Sequence, residues 1–150
     1  MEIIFGNKFS FLTMLNFFDS IFKKDNDLKK MNFSLEIGPH TDLETLPPVK
    51  DVYVTMLPGG DYKETADKSG ELVKKGFNPV PHFPARSINN EEELKEYVSR
   101  CKDQGVKQAL VIGGSRDPIG KFDSSYQILE TGFFDGIKIG IAGHPEGSPD

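Results

Sequence analysis

Residues 78–112 read NPVPHFPARSINNEEELKEYVSRCKDQGVKQALVI and contain one complete strand–helix–strand unit. Asn78–Phe83 and Gln108–Ile112 are short apolar runs, which are typical of strands buried in a parallel sheet. The longer stretch between them, Glu91–Gln104, has apolar residues at helical spacing. The sequence therefore predicts that a helix connects two parallel strands here.

The helix of this unit has recognisable ends and a recognisable buried face. Asn90 and Glu93 are spaced as the N-cap and third residue of a capping box, and Gly105 follows the last helical turn. The apolar face is formed by Leu94, Tyr97, Val98 and Cys101. Cys101 is therefore predicted to be a small core residue and not a nucleophile.

The same alternation recurs along the chain from residue 32 onward. The apolar runs are Phe33–Ile37, Val52–Leu57, Asn78–Phe83, Gln108–Ile112 and Ile137–Ala142, and their starts lie roughly 20 to 30 residues apart. Two further helices are predicted, one over Glu64–Lys75 that Gly76 closes and a weaker one that starts near Ser124 or Ser125. This repeat predicts a parallel sheet that is buried on both faces.

Two folds share this repeat, and the loops between strands and helices favour one of them. A doubly wound dinucleotide fold has a Gly-x-Gly-x-x-Gly turn after its first strand, whereas residues 38–41 read Gly-Pro-His-Thr. A phosphate-binding loop is excluded as well. Five residues separate Gly114 from Gly120 where that motif has four, and Phe122 stands where the motif needs a hydroxyl. We therefore predict an α/β fold of the (β/α)8 TIM-barrel type, in which the loops after the strands build the active site.

Length, charge and cysteine content exclude several classes of protein function. The chain has 150 residues, with 18 Lys and Arg against 23 Asp and Glu, which gives a formal net charge of −5. This length suits one domain, and the acidic balance argues against a nucleic-acid binder, which normally has a basic surface. A single cysteine excludes an internal disulfide and a cysteine-ligated zinc site, and it indicates a reducing compartment, which we take as the cytoplasm.

Residues 1–31 differ in character from the rest and are predicted to form an N-terminal helical extension. Apolar residues recur at roughly helical spacing over Phe9–Phe22, but Asn16 and Asp19 interrupt the run. A transmembrane helix needs about 20 predominantly apolar residues, so no membrane span is expected, and signal-peptide features are missing. Three interpretations stay open: a helix packed on the domain, a helix on a membrane surface, or a start assigned upstream of the true one at Met31.

Polar side chains occur toward the end of each predicted strand. They are Glu36 in the first strand, Thr55 in the second, His82 and Arg86 after the third, Asp117 after the fourth, and His144 and Glu146 after the fifth. In a barrel these positions converge on one rim. Each has an ordinary alternative: a salt bridge for Glu36, a structural hydrogen bond for His82 and a turn for Asp117. Their recurrence at the same end of five strands favours a functional site.

Four segments carry a series of motifs. They are Ser34-Leu35-Glu36, Pro81-His82-Phe83-Pro84-Ala85-Arg86, Arg116-Asp117-Pro118-Ile119-Gly120 and Ala142-Gly143-His144-Pro145-Glu146-Gly147. Over about residues 33–150 this series resembles that of the methylenetetrahydrofolate reductase family, and the run that begins at His144 is its most specific part. The residues Arg116, His144 and Ser148 depart from the family's usual pattern, which indicates a divergent branch.

The resemblance implies that residues 32–150 are the first five β/α units of a flavin-binding barrel. Such an enzyme reduces 5,10-methylenetetrahydrofolate to 5-methyltetrahydrofolate, with NADH or NADPH supplying electrons to FAD, and it forms a homo-oligomer at full length. By the resemblance, Glu36 is the catalytic acid and Asp117 is the acid beside the flavin ring and the folate. The remaining FAD-contacting positions that it implies are Thr55, His82, Tyr126, Ala142, His144 and Ser148, and no metal is implied.

The chemistry of this reaction suits these residue types. Reduction of the methylene bridge first requires a proton on a folate nitrogen, so that the five-membered ring opens to an iminium ion. Glu36 lies between Leu35 and Ile37, and desolvation there would keep its carboxyl protonated near neutral pH. A nearby Asp117 is expected to raise the pKa of Glu36 further and to stabilise the iminium cation.

A complete barrel has about 250 residues, so we expect this sequence to be part of a longer reading frame. The 150-residue chain alone is expected to aggregate or oligomerise and to hold no flavin. Two other functions stay open. One is a metal-dependent barrel hydrolase with Glu36, His82, Asp117 and His144 as ligands, and the other is a non-catalytic half-barrel that associates with another chain.

Overall fold

The computed structural model describes residues 33–142, and its centre is a five-stranded sheet. The strands are β1 (Ser34–Ile37), β2 (Asp51–Val54), β3 (Asn78–Pro84), β4 (Gln108–Ile112) and β5 (Lys138–Ile141). All neighbouring pairs are parallel, and the strands lie side by side in the order in which they occur in the chain. The five predicted strands and their parallel arrangement are confirmed, but β2 ends at Val54, three residues before the predicted end at Leu57.

Three α-helices connect these strands within residues 33–142. They are α1 (Tyr62–Lys74), α2 (Glu91–Asp103) and α3 (Ser125–Glu130), and single 3₁₀ turns lie at Leu43–Thr45 and Ala85–Ser87. The predicted carboxyl ends of α1 and α2 are confirmed to within one residue, but α1 begins at Tyr62, two residues before its predicted start at Glu64. Gly76 and Gly105 both have a φ of +85°, the left-handed conformation that closes a helix and favours glycine.

The start of α2 differs from the prediction in one contact. The Asn90 side chain accepts the backbone N–H of Glu93 at 2.8 Å, as a capping box requires. The Glu93 carboxylate, however, accepts the backbone N–H of Asn89 at 3.3 Å and the Asn89 amide at 2.6 Å, instead of the N–H of Asn90. The reciprocal half of the predicted capping box is therefore wrong by one residue.

The described helices all pack on one side of the sheet, which we call the covered face. Strands in consecutive order with right-handed crossovers put their connecting helices on the same side. The strand residues of the covered face are at most 4% exposed: Leu35, Ile37, Val52, Val54, Phe83, Ala109 and Val111. Leu72 of α1, Tyr97 of α2 and Ile128 of α3 pack onto them. Cys101 lies fully buried in this core, as predicted.

The opposite side of the same strands, which we call the open face, is mostly polar. Its residues include Glu36, Asp51, Tyr53, Asn78, His82, Gln108 and Lys138, with Val80 and Leu110 between them. Most of them are only half-buried, so the prediction that both faces are buried is wrong for the part of the chain that is described. The consecutive order is compatible with part of a β/α barrel, whose inner face such a surface would form.

The central strand β3 contains three prolines, Pro79, Pro81 and Pro84. Proline has no N–H to donate and is usually absent from central strands. The pairing of β3 is divided between its two neighbours: Asn78–Pro81 pair with β2, and His82–Pro84 pair with β4. His82 is the residue at which the pairing passes from one neighbour to the other.

Within residues 33–142 no helix combines the length and apolarity that crossing a membrane requires. The predicted N-terminal helical extension, residues 1–31, lies outside the described residues, and so do residues 143–150. The predicted domain boundary between residues 31 and 32 stays a prediction.

Candidate functional site

Besides Glu36, which is the third of the four residues of β1, five of the predicted site residues lie at or beyond the carboxyl halves of strands. Thr55 directly follows β2, His82 lies in the second half of β3, and Ala142 directly follows β5. Asp117 lies in the loop between β4 and α3, and Tyr126 is the second residue of α3. Because the strands are parallel, these positions share one edge of the sheet, as predicted. The predicted site residues His144 and Ser148, with Glu146, lie outside the described residues.

Glu36 and His82 meet on the open face although 46 positions separate them in the sequence. Nε2 of His82 lies 3.7 Å from Oε2 of Glu36. His82 is 7% exposed, and within residues 33–142 its Nε2 is the one buried side-chain polar atom without a hydrogen bond. The ring of Tyr53, on the strand between them, meets the His82 ring edge-on at 6.0 Å. Buried polar atoms in proteins normally have a hydrogen-bond partner, so this nitrogen is a candidate contact for a bound group.

Burial favours the neutral form of both members of this pair. It raises the pKa of the Glu36 carboxyl above its ordinary value of 4.5 and lowers the pKa of His82 to about 4. The shared cause is desolvation, which disfavours a charged group in an apolar setting. His82 is therefore neutral at pH 7, and its contact with Glu36 is not an ion pair. The salt-bridge interpretation of Glu36 receives no support from this contact.

Asp117 has no electrostatic effect on the pKa of Glu36. The sequence predicts that Asp117 raises the pKa of Glu36, but burial is the cause of the rise and Asp117 does not contribute. Asp117 is exposed in the β4–α3 loop. Desolvation alone therefore raises the pKa of the Glu36 carboxyl.

Tyr97 holds the backbone of β3 at His82 from the covered face. Its hydroxyl donates to the His82 carbonyl at 2.9 Å, and its ring stacks on Phe83 with centroids 4.0 Å apart. Tyr97 is fully buried, and burial raises its pKa well above the ordinary value of 10, so the hydroxyl stays a donor. Sequence reasoning identified Tyr97 only as a core residue, because a contact between α2 and β3 has no local signal.

Thr55 ties the carboxyl ends of β1 and β2 together. Its backbone N–H and its hydroxyl both donate to the Ile37 carbonyl, at 2.9 and 3.2 Å. The Thr65 hydroxyl of α1 in turn donates to the Thr55 carbonyl at 3.3 Å. The Thr55 hydroxyl oxygen keeps its capacity to accept a hydrogen bond, so this structural role is compatible with a ligand contact.

Tyr126 and Ala142, like Asp117, are exposed. Tyr126 is 67% exposed, and a hydrogen bond to the Glu130 carboxylate raises the pKa of its hydroxyl. Ala142 is exposed at the end of β5. An exposed aromatic ring at this edge can stack on a planar ligand group.

A second polar cluster lies at the amino ends of the strands, and sequence reasoning missed it. The Asp51 carboxylate accepts hydrogen bonds from the side-chain amides of Asn78 and Gln108, the latter at 3.3 Å. The signal was present in the sequence, since each of these polar residues opens a predicted or observed strand. The cluster links β2, β3 and β4, so the polar groups at this end satisfy one another.

The Glu36 carboxyl thus lies beside a buried, unpaired imidazole nitrogen, on the side of the sheet that the described helices leave uncovered. Within residues 33–142 no three His, Cys, Asp or Glu side chains are placed to hold a metal ion. The chain matches no protein-family model.

Proposed function

We propose that this protein is a flavin-dependent reductase of the methylenetetrahydrofolate reductase type, and that its five strands are part of a β/α barrel. It would reduce 5,10-methylenetetrahydrofolate to 5-methyltetrahydrofolate with electrons from NADH or NADPH. The motif series supports the reaction. The consecutive order of parallel strands, which is the order within a barrel, supports the architecture.

The observation that carries the proposal is the partly buried position of the Glu36 carboxyl on the open face, beside His82. A general acid must hold its proton near neutral pH and present it to the substrate. Burial raises the pKa of Glu36, which is the direction that the first requirement calls for. Glu36 meets the second because its side chain is 28% exposed on the open face.

The role of Glu36 in this reaction is to transfer the carboxyl proton to a folate nitrogen, so that the ring opens to an iminium ion. The proton leaves an Oε atom of Glu36, and partial exposure allows the resulting carboxylate to recover a proton from solvent. His82 assists by being neutral, because an imidazolium 3.7 Å away would favour the charged carboxylate and lower its pKa. Asp117, in the exposed β4–α3 loop, is the carboxylate proposed to stabilise the iminium cation.

The described residues fit a flavin at this edge of the sheet. The unpaired Nε2 of His82 and the hydroxyl oxygen of Thr55 can contact polar atoms of FAD, and the exposed ring of Tyr126 can pack on a planar part. Ala142 is the fourth described contact that the family resemblance implies. Bound FAD would supply the hydride, while the protein positions and tunes it.

The test separates the two half-reactions in the protein produced from the complete reading frame that contains this sequence. Stopped-flow absorbance follows flavin reduction by NADH or NADPH and then flavin reoxidation by the folate. Glu36→Gln should leave flavin content and flavin reduction unchanged, because only the folate step needs the proton. Loss of the general acid should slow reoxidation by about 10²–10⁴-fold.

The matched control is Glu92→Gln, which removes an exposed carboxyl in the first turn of α2. It should reoxidise at the rate of the unaltered protein. Unchanged folate turnover in Glu36→Gln would remove Glu36 from the mechanism. A protein that contains no flavin and takes up none would overturn the proposed function as a whole.

A further inference from the structure

Arg86 connects the end of β3 to the loop that follows β4. It lies in the 3₁₀ turn Ala85–Ser87, directly after β3. Its guanidinium donates from Nε to the Asp123 carbonyl at 2.9 Å and to Oδ1 of Asp123 at 3.2 Å, and from a terminal nitrogen to the Gly114 carbonyl at 3.3 Å. Both ends of the loop between β4 and α3 are therefore bound by one side chain.

The backbone of Arg86 binds the same loop at two more points. Its N–H donates to the Gly113 carbonyl at 2.9 Å, and its carbonyl accepts the N–H of Ile119 at 3.0 Å. Asp117 lies between these attachment points, three residues after Gly114 and two before Ile119. The segment that contains Asp117 is thus held from both sides by Arg86.

Two glycines allow the loop to approach this closely. Gly114 has a φ of +98°, a conformation that favours glycine. A Cβ on Gly120 would lie 2.0 Å from the Asn89 carbonyl oxygen, so only glycine fits there. Phe122 follows and is 2% exposed, which anchors the loop in the core.

We propose that Arg86 is a positioning residue, which fixes the 113–123 loop across the end of β3 so that Asp117 is held at the edge of the sheet where Glu36 and His82 lie. This inference rests on the proposed function for the role of Asp117, but not for the clamp itself. Arginine suits the task because its planar fork reaches acceptors on two chain segments at once. A lysine ammonium, a single point charge on a flexible stem, cannot reproduce that geometry.

The first test measures the clamp without reference to activity. Hydrogen exchange, followed by mass spectrometry, is compared for the unaltered protein, Arg86→Gln and Arg86→Lys. Loss of charge-assisted hydrogen bonds at both loop ends should speed exchange of the 113–123 amides by about tenfold in Arg86→Gln. Arg86→Lys should restore this protection only in part.

The control is Arg100→Gln. Arg100, like Arg86, binds with more than one guanidinium nitrogen. It donates to both carboxylate oxygens of Asp67, at 2.9 and 2.8 Å, and so connects α1 and α2 instead of binding the loop. Its substitution should change exchange in the two helices and leave the 113–123 amides unaffected. Unchanged loop exchange in Arg86→Gln, or equal changes in both variants, would overturn the clamp.

The second test asks whether Arg86 acts through Asp117. Folate turnover is measured for Arg86→Gln, for Asp117→Asn and for the double variant. If Arg86 positions Asp117, the double variant should be no slower than Asp117→Asn alone, whereas independent roles would multiply the two losses. Multiplied losses would overturn the positioning role.

Failure of the proposed function is distinguishable from failure of this inference. An unaltered protein without folate turnover would refute the proposed reaction and, with it, the role of Arg86 toward Asp117. Loop exchange would then still decide whether Arg86 clamps the loop.

Discussion

The covered face and the open face of the sheet are formed by alternate residues of the same strands, and the two faces differ in burial. Val52 and Val54 of β2 are 0% exposed under the helices, whereas Tyr53 between them is half-buried on the other side. In β3 the side chains of His82 and Phe83 likewise lie on opposite faces, although both are buried. Successive side chains of a strand point to opposite faces, so a residue that packs in the core is next in sequence to one with a polar or ionisable side chain.

The pair His82 and Phe83 shows how the covered face supports the open one. Phe83 stacks on Tyr97, and the hydroxyl of Tyr97 binds the carbonyl of His82. The side chain of His82 meanwhile lies on the open face beside Glu36. The difference teaches that the covered face holds the strands in place, while the open face presents polar side chains such as Glu36 and His82.

The largest expected effect comes from breaking the covered face. Phe83→Ala removes a fully buried ring and should lower the free energy of unfolding by about 3–5 kcal/mol. Leu110→Ala is the open-face counterpart, since Leu110 is half-buried and pairs with His82, and it should cost only about 1 kcal/mol. Urea denaturation at pH 7 measures both, and equal losses would contradict the division of labour between the faces.

The second prediction concerns the pH dependence of stability that His82 introduces. Its pKa is about 4 in the folded protein and 6.5 ordinarily, so the unfolded chain takes up the proton first as the pH falls. The stability associated with neutral His82 is complete above pH 6.5 and should be lost progressively toward pH 4, by about 3 kcal/mol. Urea denaturation across this range should show a weaker pH dependence in His82→Gln.

The control for this pH dependence is His40→Gln, because His40 is an exposed histidine, and its removal should leave the loss of stability below pH 6.5 in place. Glu36 acts with the opposite sign. Its raised pKa stabilises the folded protein below the ordinary value of 4.5, and this contribution is lost as the pH rises through the folded pKa. Glu36→Gln should therefore steepen the acid loss. An unchanged profile in His82→Gln would show that His82 is not buried as described.

A smaller effect is expected at the link between the faces. Tyr97→Phe keeps the stacked ring but leaves the His82 carbonyl without its hydrogen bond, which should lower the free energy of unfolding by about 1–2 kcal/mol. Tyr126→Phe removes the hydroxyl of an exposed tyrosine and should stay within about 0.5 kcal/mol of the unaltered protein. If both variants are equally stable, the Tyr97 hydroxyl does not support β3.

Local patterns in the sequence predicted most of the fold. Apolar runs located the strands, and Gly76 and Gly105 located the ends of two helices, because these features depend on neighbouring residues. The burial of both faces was predicted wrongly. Apolar Val80 and Leu110 lie on the open face between polar residues, so the strand sequences give no reliable sign of which side the helices leave uncovered.

The candidate site was predictable in its location but not in its contacts. Parallel strands bring Thr55, His82 and Asp117 to one edge, and that follows from topology alone. The approach of Glu36 to His82, and the binding of the Asp117 loop by Arg86, depend on register between strands that are distant in sequence. The predicted effect of Asp117 on the pKa of Glu36 failed for the same reason, because it required a distance that the sequence does not contain.

The smallest effect on stability is expected for Asp117→Asn, at the exposed rim of the open face. Asp117 is exposed, so the free energy of unfolding should change by less than about 0.5 kcal/mol. If Asp117 lies beside the flavin ring, as proposed, loss of its negative charge should favour the reduced, anionic flavin and raise the midpoint potential, while folate turnover falls. Spectroelectrochemical titration measures the potential, and Asp103→Asn, which removes an exposed carboxylate at the end of α2, is the control. A lower potential in Asp117→Asn would mean that Asp117 only shapes its turn, because an uncharged side chain beside the ring cannot disfavour the anion more than a carboxylate does.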